Sequence, residues 1–312
     1  MVLRMVLGTA RLVRLVPGCV LIAALLTACG SGASDELSGA AIQVVVSFYP
    51  LADAAQEVGG SLVQVENLTA PGVEPHDIEL TPQQVESIDR ADVVVYLGGG
   101  FQPAVEDALV DTQGTTLDAS ASLRSLPVPA GEADASLEAD PHVWLDPTLY
   151  QQIVNEVRDV LTQVDPADAS TFRSNAHAFD RRIGDLDRAY RSGLATCDRN
   201  AIVTSHAAFG YLAERYGLTQ EAISGLSPDA EPPPQRLAEI KALVERDGIT
   251  TIFTEELVSP RVADALATET GAATAVLNPL ESLTPDEVAA GADYVSVMHE
   301  NLSALRGALG CS

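Results

Sequence analysis

Of the five histidines in the 312-residue chain, three sit in segments that could present a ligand. His76 lies in Pro71-Gly72-Val73-Glu74-Pro75-His76-Asp77, His142 in Asp140-Pro141-His142-Val143-Trp144-Leu145-Asp146-Pro147, and His206 directly follows the run Ile202-Val203-Thr204-Ser205. A neutral imidazole offers one nitrogen lone pair to a divalent cation and keeps the second nitrogen for orientation. Three of them brought together would make a metal site. More than sixty residues part each from the next, so this is no compact finger, and tertiary folding must assemble it. His177 and His299 lie in helical segments and read as surface residues, and Trp144 reads as packing support beside His142. No C-x-x-C pair and no phosphate-cradling glycine loop of the Walker type occurs, which argues against a thiolate metal site and against nucleotide chemistry.

The elements that would bring these loops together follow from the periodicity. Ile42 to Phe48, Leu62 to Leu68 and Ala91 to Leu97 read as strands, with helices over Pro50 to Val58 and Pro82 to Ser87 between them. Such alternation predicts a largely parallel sheet, whose ligand sites lie beyond the carboxyl ends of its strands. After Gly98-Gly99-Gly100 a helical segment runs to about Leu109 and the chain then becomes irregular. Residues 127–141 hold Glu132, Asp134, Glu138 and Asp140 among Ala, Gly and Pro, and read as a solvated loop. From Pro147 to about Leu194 the pattern is helical, interrupted at Asp165-Pro166. Its second part carries Phe172, Ala176, Phe179, Ile183, Leu186 and Tyr190 on one stripe. At ~1.5 Å per residue that part would span about 38 Å, enough to traverse two lobes.

A second series follows, with strands over Ala201 to Thr204, Thr250 to Phe253 and Ala273 to Leu277. Its helices end at Tyr216, run over Leu237 to Arg246 and Arg261 to Thr270, and close with one helix from Asp286 to Leu309. The expected fold is α/β: two lobes, 42–165 and 197–312, each a mostly parallel sheet with flanking helices, joined by one long rigid helix within 166–196.

The amino terminus reads as an address. Arg4, Arg11 and Arg14 precede an apolar run from Leu15 to Leu26 that is too short to span a bilayer as a mature helix and has the layout of a secretory signal. Leu26-Thr27-Ala28-Cys29 resembles the bacterial lipobox, which implies a signal peptide over 1–28, a diacylated Cys29 at the new terminus, and a flexible tether over 29–41. Cys19 leaves with the signal. Cys197 and Cys311 then remain in an oxidising compartment, where a pair favours a disulfide. With 18 basic against 44 acidic residues the formal charge is −26, which opposes nucleic acid or an anionic membrane surface as partner and suits a cation.

PGVEPHDIELTP, ADVVVYLGGG, DPHVWLDP, VTSHAAFGYLAERYGL, GLSPDAEP, IFTEELVSPRVADALATETGA and LNPLESL, in that order, resemble the successive signatures of the zinc- and manganese-binding proteins of ABC importers, the cluster A-I or ZnuA-like group. The resemblance implies metal bound in the cleft between two lobes, with His76 and His142 from the first and His206 from the second. Many members have an aspartate as fourth ligand in the segment that reads Leu277-Asn278-Pro279-Leu280, so that Asn278 stands at the expected position. An amide oxygen is a poorer zinc ligand than a carboxylate. The replacements are a water, Glu281, or Glu255, which either binds directly or orients a ligand. On this expectation Asn278→Asp tightens binding and Asn278→Ala does little.

The implied function is an extracytoplasmic Zn²⁺ receptor on the outer face of the cell membrane, a monomer that captures the ion and delivers it to an ABC permease served by a cytoplasmic ATPase, and itself catalyses nothing. Three imidazoles favour Zn²⁺ over the harder Mn²⁺. Manganese or iron uptake is the runner-up within the class. Outside it stand a zinc-dependent hydrolase, for which no H-E-x-x-H motif supplies a base, and a surface adhesin.

Overall fold

Two four-stranded parallel sheets form from successive halves of the chain. The structure, a computed structural model, describes residues 41–128 and 137–312. The signal segment, Cys29, the tether up to residue 40, and Glu132 and Asp134 of the acidic loop lie outside the described residues.

The first half runs β1 (Ile42–Val46), α1 (Tyr49–Gly59), β2 (Val63–Asn67), α2 (Pro82–Arg90), β3 (Val93–Tyr96), α3 (Pro103–Ala108) and β4 (Thr115–Asp118), with sheet order β2-β1-β3-β4. Its central strands read as unbroken valine runs because both faces are covered. Val44, Val46, Val93 and Val95 enter one apolar cluster, whereas Val45 and Val94 point the other way to join Ile88 of α2 and Val105 of α3. Two long helices follow, α4 (Pro147–Val164) and α5 (Ala169–Gly193).

The second half runs β5 (Ala201–Thr204), α6 (Gly210–Tyr216), β6 (Thr219–Ala222), α7 (Pro234–Asp247), β7 (Thr251–Thr254), α8 (Arg261–Thr270), β8 (Ala273–Val276), α9 (Pro285–Ala290) and α10 (Tyr294–Leu309), with order β6-β5-β7-β8. The strand alternation repeats: Ile202 and Phe253 face the cluster shared with the first half, and Val203 and Ile252 face Ile240 and Val244 of α7 and Leu266 of α8.

The 25-residue α5 buries Phe172, Ala176, Phe179, Ile183, Leu186 and Tyr190, the stripe expected from their spacing. It packs on α1 and α4 from the first half and on α10 from the second. The Tyr190 hydroxyl donates to the Met298 carbonyl at 2.7 Å, and Arg182 pairs with both Glu57 on α1 and Asp293 just before α10. Cys197, beyond the end of α5, is bonded to Cys311 at the carboxyl end.

Three features depart from the sequence-based expectation. β4 and β6 fall where no strand was assigned. Their sequences, TTLD and TQEA, hold few apolar residues because both are edge strands, and main-chain pairing with β3 and β5 makes them. The single closing helix is two helices. Thr284 and Glu287 form a capping box at the start of α9, Gly291 ends it at φ 75°, and a second box of Asp293 and Ser296 starts α10. Asp140, assigned to a solvated loop, is buried.

Candidate metal centre

Each candidate ligand follows a strand's carboxyl end. His76 lies between β2 and α2, in a loop tied to the other half by the Gly72 amide, which donates to the Leu283 carbonyl at 2.8 Å. His142 opens the 3-10 turn Val143–Leu145, beyond which Asp146 caps α4 through the Thr148 amide at 2.8 Å. Trp144 in that turn is fully buried, and its indole N–H donates to the Pro279 carbonyl at 2.8 Å, so its packing role includes joining two ligand loops. His206 stands two residues past β5, its carbonyl accepting from the Thr204 hydroxyl at 2.7 Å.

These loops bring together four side chains, His76, His142, His206 and Glu281, with one potential donor atom from each all within 4.8 Å of one another. Glu281 Oε1 lies 3.1 Å from the Nε2 atoms of His142 and His206 and 3.4 Å from that of His76, and the His142 and His206 Nε2 atoms are 3.4 Å apart. Donors bound at ~2.1 Å to one tetrahedral ion would stand about 3.4 Å apart, so the spacing fits zinc-sized coordination with little movement. His142 and His206 are fully buried, Glu281 nearly so, and the side chain of His76 keeps 6% of its exposure. The rings of Phe101 and Trp144 pack against His76 and His142 at centroid distances of 4.9 and 5.2 Å, an apolar wall that keeps the site dry.

The outer nitrogens are held by carboxylates. Asp140 Oδ1 lies 2.8 Å from His142 Nδ1 and accepts the His142 amide at 3.0 Å. Glu255 does the same for His206, with Oε2 2.7 Å from Nδ1 and Oε1 accepting the amide at 3.1 Å. A carboxylate on Nδ1 keeps the proton there and turns the Nε2 lone pair toward the centre.

Burial holds His76 below its ordinary pKa. At His142 burial acts the same way but is outweighed by hydrogen bonds to Asp140 and Glu281, so its pKa is raised. At His206 the charges of Glu255 and Glu281 overcome burial and lift it well above the usual value. Burial would raise Glu281, yet His206 and the hydrogen bonds from all three imidazoles keep it well below the carboxylate range. Glu74, whose Oε2 accepts the His76 amide at 3.0 Å, is pushed up to about 8 by burial and by Glu281.

At the fourth position the alternatives of the sequence separate. Asn278 spends its side chain locally: Oδ1 accepts from the Leu280 amide at 2.7 Å, and Nδ2 donates to Glu287 at 3.0 Å and Glu256 at 3.3 Å. Glu255 stands behind His206, outside the converging set. Glu281 stands in the converging set, and Leu280, between Asn278 and it, has φ 59°. Asp140 was missed as an orienting group. The signal available for it was its place two residues before a ligand histidine, with Pro141 between. His177 and His299 are exposed on α5 and α10, away from the centre.

Comparison with known proteins gives concordant results. The zinc-binding lipoprotein AdcA of Streptococcus pneumoniae is 40% identical over 276 residues, covering 85% of this chain, which spans 55% of AdcA's length. The high-affinity zinc uptake system protein ZnuA of Bacillus subtilis is 34% identical over 299 residues, covering 91% of this chain and 94% of its own. Among solved structures, the Zn(II)-bound ZnuA-like domain of Streptococcus pneumoniae AdcA superposes with TM-score 0.75 at 40% identity, covering 86% of this chain and 99% of that one. Residues 44–308 match the model of the ZnuA family, the periplasmic component A of the zinc-uptake complex, and the chain belongs to that family.

Proposed function

We propose that the protein is the extracytoplasmic receptor of a zinc importer, binding one Zn²⁺ through His76, His142, His206 and Glu281 and delivering it to an ABC permease whose ATPase works on the cytoplasmic side. The observation that carries this reading is the buried convergence of three imidazole nitrogens and one carboxylate oxygen. Three nitrogens and one oxygen suit Zn²⁺ better than Mn²⁺, which prefers more oxygens and a higher coordination number. Four protein donors also close the site, whereas a catalytic zinc keeps a position for water, so the arrangement favours a receptor over a hydrolase. The zinc-binding relatives support the same cargo. The two outer carboxylates, Asp140 and Glu255, offset the ion's remaining charge through the imidazoles. A lipid on Cys29 would hold the monomer at the outer face of the membrane.

Metal analysis of protein purified without a histidine tag, followed by competitive titration with a zinc chelator, tests this. One tightly held Zn²⁺ per chain, displaced poorly by Mn²⁺, is the expected result. Equal affinity for the two ions, or no tight zinc, would end the reading.

A further inference from the structure

The turn that presents Glu281 is held in a way its neighbours are not. Leu280 is the one described non-glycine residue with positive φ, a conformation disfavoured for any residue with a Cβ, and it is fully buried. Such backbone persists only where its surroundings over-determine it. Here two amide side chains do so. Asn301, 2% exposed, is the one polar residue among those that α10 buries, beside Tyr294, Val297, Met298, Leu302, Leu305 and Leu309. Its Nδ2 donates to the Asn278 carbonyl at 2.7 Å and its Oδ1 accepts the Asn278 amide at 2.8 Å, a two-point grip that mimics a strand partner. Asn278 in turn accepts from the Leu280 amide and donates to Glu287 on α9. Burying an unpaired amide is unfavourable, and this pair satisfies every polar group it brings.

We infer that Asn278 and Asn301 are positioning residues that fix the Leu280 turn and so hold Glu281 Oε1 against the three imidazole nitrogens. This rests on the reading of Glu281 as a zinc ligand. Neither amide touches the ion. They act through the backbone, making the difference between a carboxylate already in place and one that must be ordered when the cation arrives. Without the clamp, Leu280 relaxes toward negative φ, Glu281 swings from the cluster, and the cargo is left on three imidazoles and water.

A double-mutant cycle tests the proposal. Zinc affinity is measured by chelator competition for wild type, Asn301→Ala, Glu281→Ala and the double variant, with thermal unfolding of each metal-free protein as a check on folding. Asn301→Ala should weaken zinc binding roughly 10- to 100-fold, the usual range for groups that orient a ligand. It should cost less than about threefold once Glu281 is already alanine, because full coupling is the mark of a residue acting through another. A loss of equal size in both backgrounds, or none in the wild-type background, overturns the positioning role. Asn278→Ala, run through the same cycle, reads the other half of the clamp and decides the matter if Asn301→Ala does not fold. Should Glu281→Ala alone leave affinity unchanged, the four-ligand reading falls and this inference with it. Should Glu281→Ala weaken binding while neither asparagine variant does, only the inference fails.

Discussion

At the scale of the residue, what distinguishes this centre is a division of labour among carboxylates. Glu281 faces the imidazole Nε2 atoms, while Asp140 and Glu255 hold the Nδ1 atoms of His142 and His206. Replacing His76, His142, His206 or Glu281 by Ala should each weaken zinc binding by orders of magnitude. Asp140→Asn and Glu255→Gln should cost roughly 10- to 100-fold, and His177→Ala and His299→Ala nothing. Competition titration of the series checks this ranking, and wild-type affinity in Glu281→Ala would contradict it. Asn278→Asp should weaken binding instead of tightening it. Its new carboxylate would lie beside Glu287 and Glu256, the latter already pushed up to about 7 by burial and by Glu287.

The shifted pKa values set a direction for pH. His142 and His206 are raised, so the metal-free protein keeps protons on them above the ordinary ~6.5, and zinc must displace those protons. Affinity should therefore begin to fall, on lowering pH, earlier than for free imidazole. Calorimetry in buffers of different ionisation enthalpy should show proton release at about pH 6.5, the ordinary imidazole value; zero release would refute the protonated metal-free centre. For stability the signs are opposite. The raised histidines stabilise the metal-free fold below ~6.5 and lose that contribution as pH rises through their folded values, whereas the depressed Glu281 stabilises it above the ordinary carboxylate range and loses its contribution only as pH falls well below that range.

Among the elements, α5 and the disulfide decide how the halves are held. α5 is buried along one stripe against helices of both, and Cys197–Cys311 closes a separation of 114 residues from just past its end to the carboxyl terminus. Chain-entropy reasoning gives up to ~4.7 kcal/mol for a loop of about 100 residues, a ceiling whose mechanism is model-dependent. A Cys197→Ser/Cys311→Ser variant should unfold at lower denaturant while zinc affinity stays within about threefold, since neither cysteine approaches the centre. Denaturation curves and titration of the same preparation test both halves of the statement, and an unchanged midpoint would refute the first.

Across the whole molecule, the formal charge of −26 makes the protein an attractor for cations in general. Charge at the surface changes arrival more than residence. Zinc association, followed by stopped flow, should slow as NaCl rises from about 10 to 150 mM, while dissociation is little affected, because the Debye length shrinks from ~30 Å to ~8 Å and the buried centre is poorly screened. Salt-independent association would show that the net charge plays no part in capture.

The sequence alone determined what depends on residue type and short-range period: the valine runs of the central strands, the apolar stripe of α5, the pairing of Cys197 with Cys311, and the three histidines beyond strand ends. These are local or compositional properties, so one dimension suffices to read them. The edge strands β4 and β6 were not legible because hydrogen bonds to a neighbouring strand, not their own side chains, create them. The break before α10 was written in Thr284-x-x-Glu287 and Gly291 and was passed over in favour of continuous periodicity. For the fourth group of the centre the sequence offered Glu281 beside Glu255 and a water, and the choice among them needed the tertiary structure. Whether Asn278 or Glu281 faces the histidines turns on the sign of one backbone angle, at Leu280. Asn301 from α10 grips the Asn278 main chain, and the Asn278 side chain accepts the Leu280 amide, so a residue far off in the chain that only tertiary packing brings to the turn holds that angle.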